Sequence, residues 1–294
     1  MKTVTILTPA YNRKELLERL YNSLKKQTVS DFQWLIVDDG SLDGTKECVQ
    51  RLQKENSVDI HYIWQENAGK HCALNKAIPL IESELTFIVD SDDYLPEEAV
   101  EIILSYHQKY KNTEGLCGYS FLRCYEDGSV NTAYFKKDEE IASYLEIRIN
   151  GRIGGDKAEV FFTRILQQFP FPEFKGEKFL PEDLVWMKMS ESYQMVHINK
   201  CVYISEYLEG GLTKSGRSMK IHSPKGMVAR SKVYLNNPKV CLRVKVKMML
   251  LYQIYGRFAN QKNEELMADI SEKFLYLFLF IPARFIIFYW RRKL

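Results

Sequence analysis

At 294 residues, with 46% hydrophobic and 27% charged side chains, the chain can bury a large core, and its composition excludes a disordered, collagen-like or disulfide-dense scaffold. The formal net charge of +3 conceals two opposite parts: residues 1–213 hold 24 Lys and Arg against 34 Asp and Glu, residues 214–294 hold 17 against 4. The second part favours an anionic partner, such as the phosphates of a nucleotide, a lipid head group or nucleic acid, although a solvated basic face accounts for the same charges.

The opening stretch "MKTVTILTPAYN" enters a strand pattern directly and lacks the apolar run of a signal peptide, and the six cysteines contain no CxxC pair. Both point to reduced thiols in a cytosolic protein. "TVTILTPA" is a near-continuous apolar run, as in a strand covered on both faces. "RKELLERLYNSLKKQT" places Leu16, Leu17, Leu20 and Leu24 at helical spacing. Next come a strand, "FQWLIVDDGS", a helix with Asp43 before it as N-cap, a strand, "VDIHYIWQE", and a helix, "KHCALNKAIPLIES". "LTFIVDSDD" forms the fourth strand, and "PEEAVEIILSYHQKY" starts a helix with Pro96 in its first turn. This alternation predicts a doubly wound, mainly parallel α/β sheet with right-handed crossovers, whose ligands bind beyond the carboxyl ends of the strands.

Past residue 115 the pattern is strand-rich and less regular. "GLCGYSFLRCYEDGSV" reads as a hairpin turning at Asp127-Gly128, "KAEVFFTRILQQFPFP" and "EDLVWMKMSESY" as strand or helix pieces around a loop, and residues 225–273 as mostly helical. The expected organisation is an α/β half over 1–115, a strand-rich half over 116–224 and a basic helical extension over 225–294. The tail "FLYLFLFIPARFIIFYWRRKL" is broken by Pro282 and Arg284, so it lacks the ~20 uninterrupted apolar residues of a membrane span. Its aromatic residues and closing basic cluster suit an anionic membrane surface. A helix docked on the body, or a contact between copies, is the other reading.

The chemistry centres on "FIVDSDDYLP", where Asp90, Asp92 and Asp93 fall at the end of the fourth strand. Clustered carboxylates are costly unless a cation screens them, and Mg²⁺ binds through one or two carboxylates plus phosphates. The motif alone is weak. Its companions are "TPAYNR", "VDDGSLDGT" and "QENAGKHCALN", at the ends of the first three strands. In this order the four motifs resemble the nucleotide-sugar half of family 2 glycosyltransferases of the GT-A fold, closely over residues 1 to about 100 and loosely to about residue 217.

The resemblance implies that Pro9 and Tyr11 line a base pocket, that Asp39 reads a uracil imide, and that Asn67 and Lys70 lie near the base and diphosphate. It implies that Asp90 shapes the turn, that Asp92 faces the ribose and the metal, and that Asp93 binds Mn²⁺ or Mg²⁺ directly. In "EKFLPEDLVWMKM", Asp183 is the implied catalytic base, with Glu182 orienting the acceptor or its loop; an acid pair favoured by a helix N-terminus is the plainer account. Asp156 falls in a segment lining the donor sugar, Thr213, Lys214, Ser215 and Arg217 in a loop closing over the diphosphate, and His222 where a late histidine completes some relatives' metal shell. The implied protein is a metal-dependent, inverting transferase acting from a UDP-sugar on a hydroxyl of a glycan, plausibly lipid-linked, in polysaccharide synthesis at the cytoplasmic face of the membrane. An oligomer through the C-terminal region is open. Nucleotidyl transfer is disfavoured because "TPAYNRKE" is no glycine-rich phosphate loop. Nucleic-acid binding is disfavoured because the acidic strand ends repel phosphates.

Overall fold

The computed structural model describes residues 1–131, 133–205 and 212–292, with the backbone alone at 212–215, 217 and 291. Its first part is β1 (Val4–Ala10), α1 (Lys14–Lys25), β2 (Phe32–Asp38), α2 (Thr45–Glu55), β3 (Ile60–Trp64), α3 (Lys70–Ala77), β4 (Leu85–Ile88) and α4 (Ala99–Tyr110). β1 pairs in parallel with β2 and β4, and β2 with β3. Every residue of β1 is buried, as a strand covered by helices on both faces requires. The stripe Leu17, Leu20, Tyr21 and Leu24 turns α1 onto the sheet. Trp34 of β2 fastens strand and helix: its Nε1 donates to Thr8 Oγ1 at 2.9 Å and its ring stacks on Tyr21 at 6.3 Å.

The second part adds β5 (Leu116–Cys124), β6 (Glu140–Ala142), a π-helical turn (Leu145–Asn150), β7 (Lys157–Phe162), α5 (Thr163–Leu166), α6 (Asp183–Met189) and β8 (Gln194–Ile204). All strands share one sheet in the order β3-β2-β1-β4-β7-β5-β8-β6. β7 runs antiparallel to β4 and β5, so the parallel half passes into a mixed half, the division expected from the sequence.

Three expectations change. The turn at Asp127-Gly128 forms, with the Tyr125 amide on the Ser129 carbonyl, but among the described residues the returning chain makes only the bridge Cys124–Val130. β5 instead finds β7 and β8, because burial of both its faces outweighs a local hairpin. The stretch with Thr213, Lys214, Ser215 and Arg217, read as a loop, is helical from Leu212: α7 (Leu212–His222) packs on α8 (Pro224–Asn236), which offsets the weak propensity of Gly216. Residues 206–211 of that stretch lie outside the described residues. Finally, Cys124 and Cys201 form a disulfide between β5 and β8 with Cα atoms 6.1 Å apart. The reading of all cysteines as reduced thiols is corrected for this pair, which is 77 residues apart and joined only by sheet order.

The remaining helices are α9 (Leu242–Phe258), α10 (Asn263–Ala268), α11 (Lys273–Phe278) and α12 (Phe280–Arg291). α8 packs on α6, α9 on α8, and α11 and α12 on α9. Among the described residues no helix is long and apolar enough to cross a membrane. Trp34→Ala is expected to lower the unfolding free energy by about 3–5 kcal/mol in chemical denaturation, and a loss under about 1 kcal/mol would contradict its role in joining sheet and helix.

Candidate active site

The site forms where β1, β2 and β4 end and α3 and α6 begin. Pro9 lies in β1 opposite Val37, and the exposed Tyr11 follows it. Asp38 ends β2 fully buried, accepting from Tyr62 Oη at 2.6 Å and the Ser41 amide at 2.8 Å. Asp39, also buried, organises the β3–α3 loop: it accepts from Gln65 Nε2 at 2.7 Å and from the Ala68 and Gly69 amides at 2.8 Å. Asn67 Nδ2 donates to the Asp39 carbonyl at 2.9 Å, and Asn67 Oδ1 accepts from Lys178 at 2.6 Å. This loop needs a glycine. Gly69 has φ +101°, and a Cβ there would sit 2.2 Å from the Lys178 carbonyl oxygen. The expected uracil reader and Asn67 are thus together, with Asp39 already holding the β3–α3 loop.

The acidic cluster after β4 is neutralised largely by the chain itself. Lys70, the first residue of α3, pairs with Asp90 and reaches Glu182 Oε1 at 2.5 Å. Burial opposes its charge, but the two carboxylates raise the ammonium above its ordinary value and keep it protonated. Arg123 of β5 lies 3.7 Å from Asp90 and 3.5 Å from Asp93, stacked 4.0 Å over the Tyr203 ring. Tyr203 of β8 fastens the turn, accepting from the Asp90 amide at 2.9 Å and donating to Asp93 Oδ2 at 2.8 Å.

The three aspartates have different surroundings. Asp93, expected to bind metal directly, is 6% exposed and turned onto Tyr203; burial, with repulsion from Asp90, pushes its carboxyl up to about 7. Asp90, expected only to shape the turn, holds Lys70. The Asp92 carboxylate accepts no hydrogen bond among the described residues, while its carbonyl accepts from Arg19.

At the start of α6, Asp183 takes a two-pronged pair from Arg230 of α8, with Nε to Oδ1 at 2.7 Å, and the Tyr234 hydroxyl at 2.8 Å on Oδ2. Burial would raise its carboxyl, but Arg230 and these hydrogen bonds hold it below the usual range, so it is ionised at neutral pH. Beside it, Arg148 of the π-helical turn lies 3.8 Å from Glu159 of β7, whose carboxyl burial pushes up to about 7 despite Arg148 and Arg123.

Other sequence-derived residues stand apart. Asp156 is exposed in the turn before β7. Thr213, Lys214, Ser215 and Arg217 lie on α7, with side chains outside the described residues. His222, at the exposed end of α7, has Nδ1 2.8 Å from the Ser218 carbonyl oxygen. Among the described residues no three His, Cys, Asp or Glu side chains are grouped to hold a metal. Arg123, Glu159, Tyr203, Arg230 and Tyr234 were not anticipated. The available signal was a charge inside an otherwise apolar strand run, in "YSFLRC" and "KAEVFF".

The profile of the family described as "Glycosyl transferase family 2" matches residues 5–157, over half of the chain, and the chain belongs to that family. Among curated relatives, a "Teichoic acid poly(glycerol phosphate) polymerase" of Staphylococcus epidermidis is 32% identical over 152 residues, 49% of this chain and 21% of that protein. The chain spans between about a fifth and a half of the length of the first such relatives. Among solved structures, "S. aureus TarS 1-349 in complex with UDP-GlcNAc" superposes with TM-score 0.64 at 20% identity, covering 93% of this chain and 77% of that one. "Mannosyltransferase PcManGT from Pyrobaculum calidifontis in complex with GDP-Man and Mn2+" does so with TM-score 0.60 at 17% identity, covering 97% and 83%. At these identities the likeness shows the fold, the GT-A arrangement expected from the sequence.

Arg230→Met strands Asp183 as an unpaired, mostly buried charge and is expected to cost about 3–5 kcal/mol in chemical denaturation; a loss under about 1 kcal/mol would remove the pair as a structural element. The two acids respond oppositely to pH. Asp183, depressed, contributes stability above its unfolded value that is lost as pH falls through the folded one; Glu159, raised, favours the fold at low pH and loses that contribution as pH rises through about 7. Glu159→Gln should therefore melt like the wild type near pH 5 but roughly 5 °C or more above it near pH 8, and parallel melting at both pH values would contradict the assignment.

Proposed function

We propose that the protein is an inverting glycosyltransferase that moves a sugar from a UDP-sugar to a hydroxyl of a glycan acceptor in cell-surface polysaccharide synthesis. The observation that carries this reading is the ion-pair bridge from Asp90 through Lys70 to Glu182, which draws the nucleotide-binding strand ends and the acid pair of α6 to one edge of the sheet. Family membership supports it, as does the UDP-GlcNAc named for the TarS neighbour.

In this reading the Pro9–Tyr11 turn and the Asp39–Asn67 loop hold the base, and Lys70 leaves its carboxylates to meet the diphosphate. Asp183 takes the proton of the attacking hydroxyl on the face opposite the leaving diphosphate, which inverts the anomeric centre. Pairing with Arg230 guarantees the ionised form at the expense of basicity, so acceptor binding has to loosen the Tyr234 or Arg230 hydrogen bond on the oxygen that receives the proton. Glu182, released from Lys70, orients the acceptor.

A divalent ion fits the donor set in part: the oxygen ligands are hard and the Asp92 carboxylate is open, whereas Asp93 would exchange its Tyr203 contact. Asp92 and Asp93 would hold Mn²⁺ or Mg²⁺, which as a Lewis acid stabilises the departing diphosphate; the Mn²⁺ named for the mannosyltransferase neighbour supports this. We assign Thr213, Ser215 and Arg217 to the donor and His222 to the metal shell, with donor binding drawing α7 over the site, and Asp156, in the turn before β7, to the donor sugar. A lipid-linked acceptor at the inner membrane face fits the basic C-terminal part.

Asp183→Asn is expected to keep UDP affinity, measured calorimetrically, while UDP-sugar turnover falls about 10²–10⁴-fold. A loss under threefold would remove Asp183 as the base.

A further inference from the structure

The last two helices pair a docked face with an exposed one. Tyr276, Leu279, Ala283 and Ile287 are buried on the protein side, and Trp290 meets the Tyr255 ring of α9 edge-on at 6.2 Å. The Tyr276 carbonyl accepts from Gln253 of α9 at 3.0 Å. On the opposite side Phe274, Phe278 and Phe285 are 83%, 71% and 71% exposed, with Leu277, Ile281 and Phe288 completing the row. The row follows helical periodicity across the junction at Leu279, which both ends α11 and begins α12. From Phe274 to Phe288 it spans roughly 20 Å. A contiguous aromatic surface of this size marks an interaction site rather than ordinary solvent-facing side chains.

Charge selects the occupant. From Lys273 to the end of the chain there are five basic residues and no acidic one. Arg284 lies 4.6 Å over the Phe280 ring and Arg292 4.2 Å over the Phe288 ring, so the cations border the apolar row. A symmetric contact between two copies sets the same patch against itself and would oppose like charges across it. An anionic lipid surface neutralises them while taking the aromatic rings below the head groups.

We propose that α11 and α12 form a plate that seats the protein on an anionic lipid bilayer, with Phe274, Phe278, Ile281 and Phe285 entering the interface. The plate packs on α9, α9 on α8, and α8 carries Arg230 and Tyr234, which hold Asp183. The seating therefore sets the height of the site above the membrane. That last consequence rests on the proposed transfer reaction; the lipid contact does not.

The test is flotation of the full chain with vesicles of phosphatidylcholine alone or mixed with phosphatidylglycerol, alongside UDP binding. The wild type should float with the anionic vesicles only, and less so in high salt. Phe274→Ser/Phe278→Ser/Phe285→Ser should lose flotation at least tenfold with unchanged melting temperature and UDP affinity, the exposed rings making no contribution to the core. Arg291→Glu/Arg292→Glu should also lose flotation. The proposal is overturned if the wild type ignores anionic vesicles, if the triple variant floats like it, or if the wild type is a dimer that the triple variant dissolves while neither binds lipid. Failure of the transferase reading would appear separately, as absent UDP binding with flotation intact.

Discussion

One ammonium group holds the site together. Lys70 stands at the first position of a helix that Gly69 allows to begin, and its charge is claimed by Asp90 from one strand end and Glu182 from another element. Without that cation the carboxylates gathered at the sheet edge would repel one another across a partly buried space, where screening is weak. Arg123 does the same work one layer deeper, between Asp90 and Asp93. Together the two cations explain how the chain folds with so many acids at one edge.

The same electrostatics orders the start of α6. Burial alone would raise the Asp183 carboxyl, and the planar fork of Arg230 supplies both the charge and the geometry that hold it ionised. Because Arg230 and Tyr234 come from α8, the chemistry of α6 depends on a helix that lies beyond the stretch matching the family profile. The basic C-terminal part thus has an inward task, locking the acid of α6, and an outward one, bordering the aromatic face of α11 and α12. A tail read as either docked or membrane-facing is docked along one side of the helix pair and leaves an aromatic row exposed along the other.

Much of this was legible beforehand. β1, β2 and β4 announced themselves as apolar runs closed by polar residues, and α1 as a leucine stripe, because burial on a strand or a helix face imposes a period on the sequence. The ordered motifs at the strand ends carried the resemblance to the family, and Asp39, Asn67, Asp90 and Glu182 do meet at one edge. By contrast, the partners of β5 were misread, since β-pattern says which residues are strand but not which strand lies beside them. What Asp90 and Asp93 each meet was hidden for a similar reason: a turn sends neighbouring carboxylates in different directions, Asp90 to Lys70 and Asp93 to Tyr203.

The sequence by itself determined the α/β alternation, the site's place at the carboxyl ends of the strands, and the charge division between the two parts of the chain. These are local, periodic or additive properties. Only the tertiary structure decided which cation answers which carboxylate, Lys70 with Glu182, Arg123 with Asp93 and Arg230 with Asp183, and which cysteines join, Cys124 with Cys201. Each of these pairs joins residues far apart in the chain, and the fit depends on strand order and helix packing, to which a linear pattern is blind.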